Sequence, residues 1–463
     1  VSDTANANIR LDAGRALADG ARAWGDGNID AALNAFARAA QLAPSMPLAH
    51  MNLGVALRRQ GRVAAAIASH RRALALGGAD AALHSNLGNA LREAGHLAEA
   101  ETHLRKAVEA QPDNASFIYN LALLLRDRRD HARCHELLTA LVRRFPDNGD
   151  YAWDLALSDL YRGDYAAGFA GYEARWRLAR SPERPFPGPR WRPGDEIAGK
   201  TLLIAAEQGF GDALQFARFL PLLVRRGARL VVECLPEQRD LFAAIDGVGQ
   251  VIAKGETPPP FHLWAPVMSL AGLLGTTIDA IPDRVPYLRA PKALSRPLGR
   301  PPGTVLNVGL IWAGKTTPRD RSWPLERLLP LMVDPRIAWW SLQMGPRVAD
   351  LAASGVGHLV RDLSPAIGSF GDTAALMADL DLIVTIDTSA AHLAGGLGKP
   401  VWVLLRYVSD WRWQDDGEGC PWYPTMRLFR QSDPFDYDGP VARMADELSR
   451  AADRPAGPWS NAP

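Results

Sequence analysis

Through the first 150 or so residues, apolar and small side chains return with a period of 34. Gly20, Gly54 and Gly88 share a column that Ala122 continues, and Leu53, Leu87 and Leu121 stand one residue earlier. Ala32, Ala66 and Ala100 form a second column, Ala39, Ala73 and Ala107 a third, and Pro44, Pro112 and Pro146 a fourth in which Gly78 substitutes once. Small residues let two helices approach, large apolar residues fill the space between them, and Pro or Gly stops the unit. The spacing therefore predicts one helical hairpin per period, each burying its apolar face on the next.

This pattern resembles a tetratricopeptide repeat (TPR) array, predicted over residues 1–178. In the segment WDLALSDLYRGDYAAGFAGYEARWR, aromatics replace the small column residues, which predicts a capping unit. Such a solenoid presents a concave groove suited to a peptide. Asn52, Asn86 and Asn120 recur at the same spacing of 34. An amide both donates and accepts, so this ladder could hold an extended peptide backbone without reading its side chains. The resemblance extends to the repeats of eukaryotic O-GlcNAc transferases, which use such a ladder; Asn is also simply common here in this repeat class.

Residues 179–199 are rich in Pro, Gly and Arg, carry neither period, and are predicted to be a linker. Beyond them the pattern changes. TLLIAAE, ALQFARFLPLLVRRG, RLVVECL, PEQRDLFAAI and QVIAKG alternate strand-like with helix-like runs, and NVGLIWAG through VWVLL repeats that alternation after a second Pro-rich stretch. Alternation of this kind predicts βαβ units and parallel sheets. The division is 200–302 for one Rossmann-like domain and 303–463 for a second that ends in the helix VARMADELSRAADR; resemblance to paired glycosyltransferase domains implies an acceptor side in the first and donor binding in the second. The expected fold is thus α plus α/β: a TPR solenoid, then two Rossmann-like domains in the arrangement that glycosyltransferases call GT-B.

Composition narrows the function. At 463 residues, 47% apolar and 22% charged, the chain is neither disordered nor a multispanning membrane protein. A net charge of +1 gives no general attraction to nucleic acid or anionic lipid. Cys134, Cys234 and Cys420 are too scattered for a zinc ribbon or a disulfide framework, and VSDTANANIRLDAG has no basic or apolar secretory region. The expectation is a cytoplasmic protein with no membrane insertion.

Three loops could carry chemistry. EQGFGD, residues 207–212, follows the first strand of the 200–302 region and contains Gln208, Gly209, Gly211 and Asp212. Leu214 stands where a dinucleotide fingerprint needs its third Gly, which argues against NAD. Two roles are open to Asp212: an N-cap, or a general base on the rim of an interdomain cleft. In GLIWAGKTTPRDRSWPLERL, Lys315, Thr316, Thr317 and Arg321 offer cations and hydroxyls to a departing phosphate, or make a solvated basic loop. Lys315 stands out because Lys occurs only six times in the chain. In DLIVTIDTSAAHLAGGLGKPVWVLL, a strand ends at Asp387 and a helix opens at Thr388, Ser389 and Ala390. The free N–H groups of such a helix start suit phosphate, whereas Asp387 suits sugar hydroxyls. His392 is either a ligand contact or a satisfied core histidine.

GFGDALQFARFLPLL, the basic loop before W-P-L, and the D-T-x-x-x-H-L-A run resemble the lipopolysaccharide heptosyltransferases. That resemblance implies that Asp212 deprotonates an acceptor hydroxyl and that Asp387, Thr388 and His392 contact donor sugar and phosphate. With repeats in front, the chain resembles bacterial flagellin O-glycosyltransferases. The implied activity is transfer of a sugar, for instance a nonulosonic acid, from a nucleotide sugar to Ser or Thr of a protein acceptor such as flagellin. The catalytic residues would be Asp212 and Lys315, the donor nucleotide is open, and no metal or further cofactor is expected. Asp379 and Asp381 in the DLD triplet read as capping and solvation groups. The aromatic block with Trp411, Trp413, Trp422 and Tyr423 reads as core or as a stacking surface. A sugar-nucleotide epimerase or hydrolase, and an inactive repeat scaffold, are the alternatives.

Overall fold

The computed structural model describes residues 2–179, 181, 184, 186–207, 209–282, 284–316 and 320–454, with side chains from residue 8. It divides into two compact units, Val1–Ser158 and Asp159–Pro463.

The first unit is built of helical hairpins: Ser2–Gly25 with Ile29–Leu42, Pro47–Arg59 with Val63–Ala75, Ala81–Glu93 with Leu97–Ala110, and Ala115–Asp127 with His131–Arg144. The small-residue column does what the period implies. A Cβ on Gly20 would lie 2.5 Å from Phe36, on Gly54 2.4 Å from His70, and on Gly88 2.6 Å from Leu104. Each glycine is therefore the floor on which the second helix rests a large side chain. Ion pairs then fix one repeat to the next, Arg58 with Glu93 at 2.6 Å, Arg92 with Asp127 at 3.1 Å and Arg126 with Asp154 at 2.8 Å. Asn52, Asn86 and Asn120 are half-buried. Asn120 already donates its amide to Ser85 Oγ at 3.0 Å, so part of its hydrogen-bonding capacity holds the array together.

The second unit contains two sheets. Strands β1 (Thr201–Ala205), β2 (Arg229–Cys234), β3 (Val248–Ala253) and β4 (Leu263–Pro266) form a parallel sheet in the order β3-β2-β1-β4. The other strands are β5 (Leu306–Leu310), β6 (Ile337–Ser341), β7 (Val360–Asp362), β8 (Leu382–Ile386), β9 (Val401–Leu405), β10 (Gly419–Cys420) and β11 (Tyr423–Arg430). They form the sheet β10-β11-β9-β8-β5-β6-β7, in which the β10–β11 pair alone is antiparallel. Strands β5, β8 and β9 are buried along their whole length, as apolar runs covered on both faces must be. In both sheets the chain reverses direction of travel beside its first strand, between β1 and β4 and between β5 and β8. Crevices for ligands open beyond the carboxyl ends of strands at such points.

Two boundaries differ from the sequence expectation. Residues 159–178, expected to cap the repeats, belong to the α/β unit. Tyr165, Phe169 and Tyr172 are buried there, and Phe169 meets Phe216, Trp411 and Trp422 edge-on. The aromatics that break the small-residue columns do so because they pack on a sheet domain. The expected linker 179–199 is in part docked as well: Trp191 N donates to Trp264 O at 2.8 Å, and Trp264 N to Pro189 O at 3.1 Å, beside β4. Asp379 and Asp381, expected to cap and to be solvated, instead tie down a distant segment, accepting from Leu298 N at 2.6 Å and Asn307 N at 2.7 Å, while Arg300 pairs with Asp381 at 2.8 Å. The final helix, Asp438–Asp453, buries Val441, Met444 and Leu448 in the core of the second sheet.

Candidate active site

The buried β1 delivers the chain to Glu207, which Arg175 grips with two hydrogen bonds of 2.8 and 3.0 Å while Met268 N donates at 2.8 Å. Burial pushes the Glu207 carboxyl up and the guanidinium opposes it. Gln208 lies outside the described residues. Gly209, in extended backbone, is the N-cap of the helix Phe210–Phe216. Asp212 is thus the third helical residue and not the cap itself: its Oδ2 accepts from Gly209 N at 3.0 Å. Its Oδ1 accepts from Arg412 Nη2 at 2.7 Å.

The wall from the second sheet is set by polar side chains that hold its loops. Gln343 Oε1 takes the N–H groups of Trp312 and Ala313, at 3.1 and 2.9 Å, and Gly314 N donates to Ser322 Oγ at 3.2 Å. Lys315 follows on the exposed rim. Thr316 is exposed and is not part of the cavity lining, whereas Thr317 lies outside the described residues. Arg321 Nη1 pairs with Asp387 Oδ2 at 3.1 Å. Burial at the end of β8 pushes the Asp387 carboxyl up, against the pull of that guanidinium. Thr388 is the extended N-cap of the helix Ser389–Gly396 and gives no side-chain cap, which leaves the first backbone N–H groups to whatever fills the space before them.

These walls enclose one cavity of about 600 Å³, in the range of small-molecule sites. Gly209, Gly211 and Asp212 line it from the first sheet's side, and Lys315, Arg321, Asp387, Thr388, Ser389, Ala390 and His392 from the second. Gly211 is required for this closeness, because a Cβ there would lie 2.9 Å from His392 Cδ2. His392 is buried, stacked on Trp413 with centroids 5.1 Å apart, and in contact with Tyr423 Oη at 2.9 Å through Nδ1. Burial first, then Arg412, Arg218 and Arg321, hold its pKa well below the ordinary histidine value.

Arg412 was not among the residues expected from sequence. It lines the cavity and donates to Gln215 Oε1 at 2.5 Å and Asp410 Oδ1 at 2.9 Å as well as to Asp212. It sits inside the aromatic block, with no motif to mark it. Trp411, Trp413, Trp422 and Tyr423 in that block are fully buried, so they are core and not a stacking surface. Among the described residues no group of three or more His, Cys, Asp or Glu is arranged to hold a metal, and no helix is long and apolar enough to cross a membrane.

Comparison with known proteins agrees on the repeats. Residues 17–82, 57–121 and 91–157 match tetratricopeptide repeat families. Protein FlbA of Caulobacter vibrioides is 28% identical over 321 residues, 62% of this chain and 52% of its own length. The chain thus spans about half of that relative, and the matched stretch is longer than the repeats. MamA from Desulfovibrio magneticus is 20% identical with a TM-score of 0.33, covering 37% of this chain and 98% of its own. PilF of Pseudomonas aeruginosa is 22% identical with a TM-score of 0.32, covering 37% of this chain and 76% of its own. The chain therefore joins an N-terminal tetratricopeptide repeat region, of the kind that engages other proteins, to an α/β unit with parallel sheets and similarity to FlbA.

Proposed function

We propose that the α/β unit is a GT-B glycosyltransferase that moves a sugar from a nucleotide-sugar donor to a Ser or Thr hydroxyl of a protein held by the repeats, with flagellin the first acceptor to test. One observation carries this reading: Asp212, delivered by the first sheet, and Lys315, delivered by the second, line the same cavity. The acceptor hydroxyl oxygen attacks the anomeric carbon, the bond from that carbon to the phosphate oxygen breaks, and the nucleotide leaves with the electron pair. The hydroxyl proton passes to Asp212. Both its oxygens already accept one hydrogen bond, yet a carboxylate offers about four lone-pair sites, so each oxygen can accept another. Charge growing on the phosphate meets Lys315 and the open helix start at Thr388, while Asp387, held by Arg321, accepts from sugar hydroxyls. Repeats that tether the acceptor raise its local concentration to the order of millimolar, so a weak groove suffices.

The test is intact-mass analysis of flagellin co-expressed with the enzyme in a host that makes candidate nucleotide sugars. A sugar-sized mass increment with the wild type, lost in Asp212→Asn and reduced in Lys315→Ala, supports the assignment. An increment unchanged in both variants removes it.

A further inference from the structure

A directional chain of hydrogen bonds runs from the helix Phe210–Phe216 to the cavity. Tyr287 Oη lies 3.0 Å from Leu214 O and 3.3 Å from Tyr423 Oη, which in turn lies 2.9 Å from His392 Nδ1. A carbonyl only accepts, so the single Tyr287 proton goes to Leu214. Tyr287 then has none left for Tyr423; its oxygen accepts from Arg218 Nη2 at 3.4 Å, and the second lone pair is open to the Tyr423 proton. Tyr423 has in turn no proton for His392, so Nδ1 is the donor. One arrangement gives every contact a donor.

The ring's surroundings keep it neutral. Trp413 covers one face, Gly211 borders the Cδ2 edge, and the charged groups facing it are Arg412, Arg218 and Arg321. Arg218 is itself fixed, donating to Trp422 O at 2.7 Å and Pro282 O at 3.2 Å. A neutral imidazole with its proton on Nδ1 has a bare Nε2. That nitrogen lies on the edge beside Gly211, where the residue lines the cavity.

We propose that His392 presents Nε2 to the cavity as an obligate hydrogen-bond acceptor, with Tyr423 and Tyr287 as its positioning residues, so that the ligand group it reads is a hydroxyl and not a phosphate oxygen. A bare ring nitrogen attracts an O–H and repels a phosphate oxygen, which carries only lone pairs. This divides the cavity: phosphate belongs with Lys315 and the helix start, and a sugar or acceptor hydroxyl with the Gly211–His392 edge. The assignment of a ligand rests on the function proposed above; the tautomer does not.

The experiment is long-range proton–nitrogen correlation spectroscopy on the full chain with nitrogen-labelled histidine at pH 7, His392 being assigned by loss of its signals in His392→Gln. The expected result is a protonated Nδ1 and an unprotonated Nε2, with that pattern lost or mixed in Tyr423→Phe. Tyr287→Phe breaks the same chain one link away and is expected to do the same, so the idea does not hang on one variant's folding. An Nε2–H tautomer, a cationic ring at pH 7, or a pattern indifferent to both variants overturns the proposal. In the transfer assay, Tyr423→Phe is expected to lower kcat about tenfold with little change in the nucleotide's affinity. Failure of transfer in the wild type, alongside the expected tautomer, would count against the enzyme reading alone.

Discussion

Asp212 and Arg412 meet at 2.7 Å although 200 residues separate them, and the contact joins the helix Phe210–Phe216 to the loop after β9. Arg412 is the hub of the arrangement, because one planar guanidinium reaches Asp212, Asp410 and Gln215 together. Lys carries the charge but not the fork. Arg412→Lys is therefore expected to keep the fold while slowing transfer at least tenfold, and Arg412→Met to lower stability by about 3 kcal/mol, since it strands partly buried carboxylates. Thermal unfolding measured beside transfer rate separates the two effects. A Lys variant as active as wild type would mean that Asp212 does not depend on this orientation.

A second prediction concerns where the chain can be cut. Removing residues 1–158 should leave a folded α/β unit, whereas removing 1–178 should not. The longer deletion takes away Tyr165, Phe169 and Tyr172, each buried, and leaves Glu207 sealed without Arg175. Burial of three aromatics at about 2 kcal/mol each approaches the whole stability of a domain. Solubility and cooperative melting of the two truncations decide it, and a well-folded 179–463 fragment would contradict the packing argument.

That boundary shows what was legible in the sequence. The period of 34 exposed the repeats because every unit solves the same packing problem with the same small residues. The alternating runs exposed β1, β5, β8 and β9 because strands buried on both faces must be continuously apolar. The loops at residues 209–212 and 387–390 were legible because they follow such strands. Tyr165 and Phe169 were not, since helix patterning says that a face is buried and never against what. Arg412, and the role of Tyr423 within its aromatic block, were hidden for a related reason: both depend on partners 200 and 31 residues away, which no local pattern reveals.

His70 predicts acid sensitivity in the repeats. It occupies the place that Phe36 and Leu104 fill in the neighbouring hairpins, over Gly54, and neither ring nitrogen has a partner. Burial, helped by Arg58, lowers its pKa from 6.5 to about 4. Because the folded value lies below the unfolded one, no protonation penalty falls on the folded state above about pH 6.5, where only the cost of its unpartnered nitrogens remains. Stability then falls as pH drops from about 6.5 toward 4, by about 3 kcal/mol in all. His70→Leu should remove that slope and stabilise the hairpin at every pH. Hydrogen exchange in peptides from Pro47–Arg59 and Val63–Ala75, compared at pH 7.5 and pH 5, measures it; equal acid sensitivity in both proteins would exclude His70 as the source.

The last prediction tests the closeness of the two cavity walls. Gly211 has an ordinary negative φ, so its conformation tolerates any residue and only space is at issue. A methyl group there would meet His392 Cδ2 at 2.9 Å and Ser389 Cα at 3.4 Å, the second a backbone atom that cannot swing aside. The helix Ser389–Gly396 must then back away or the His392 ring must tilt off Trp413. Overpacking of this kind costs about 1–3 kcal/mol. Gly211→Ala is accordingly expected to lower the melting temperature by several degrees and to reduce transfer more than it weakens nucleotide binding, because the methyl group stands on the Asp212 side of the cavity while Lys315 is untouched. Calorimetry paired with nucleotide titration tells whether both follow; an Ala variant with unchanged melting and rate would show that the walls are free to separate.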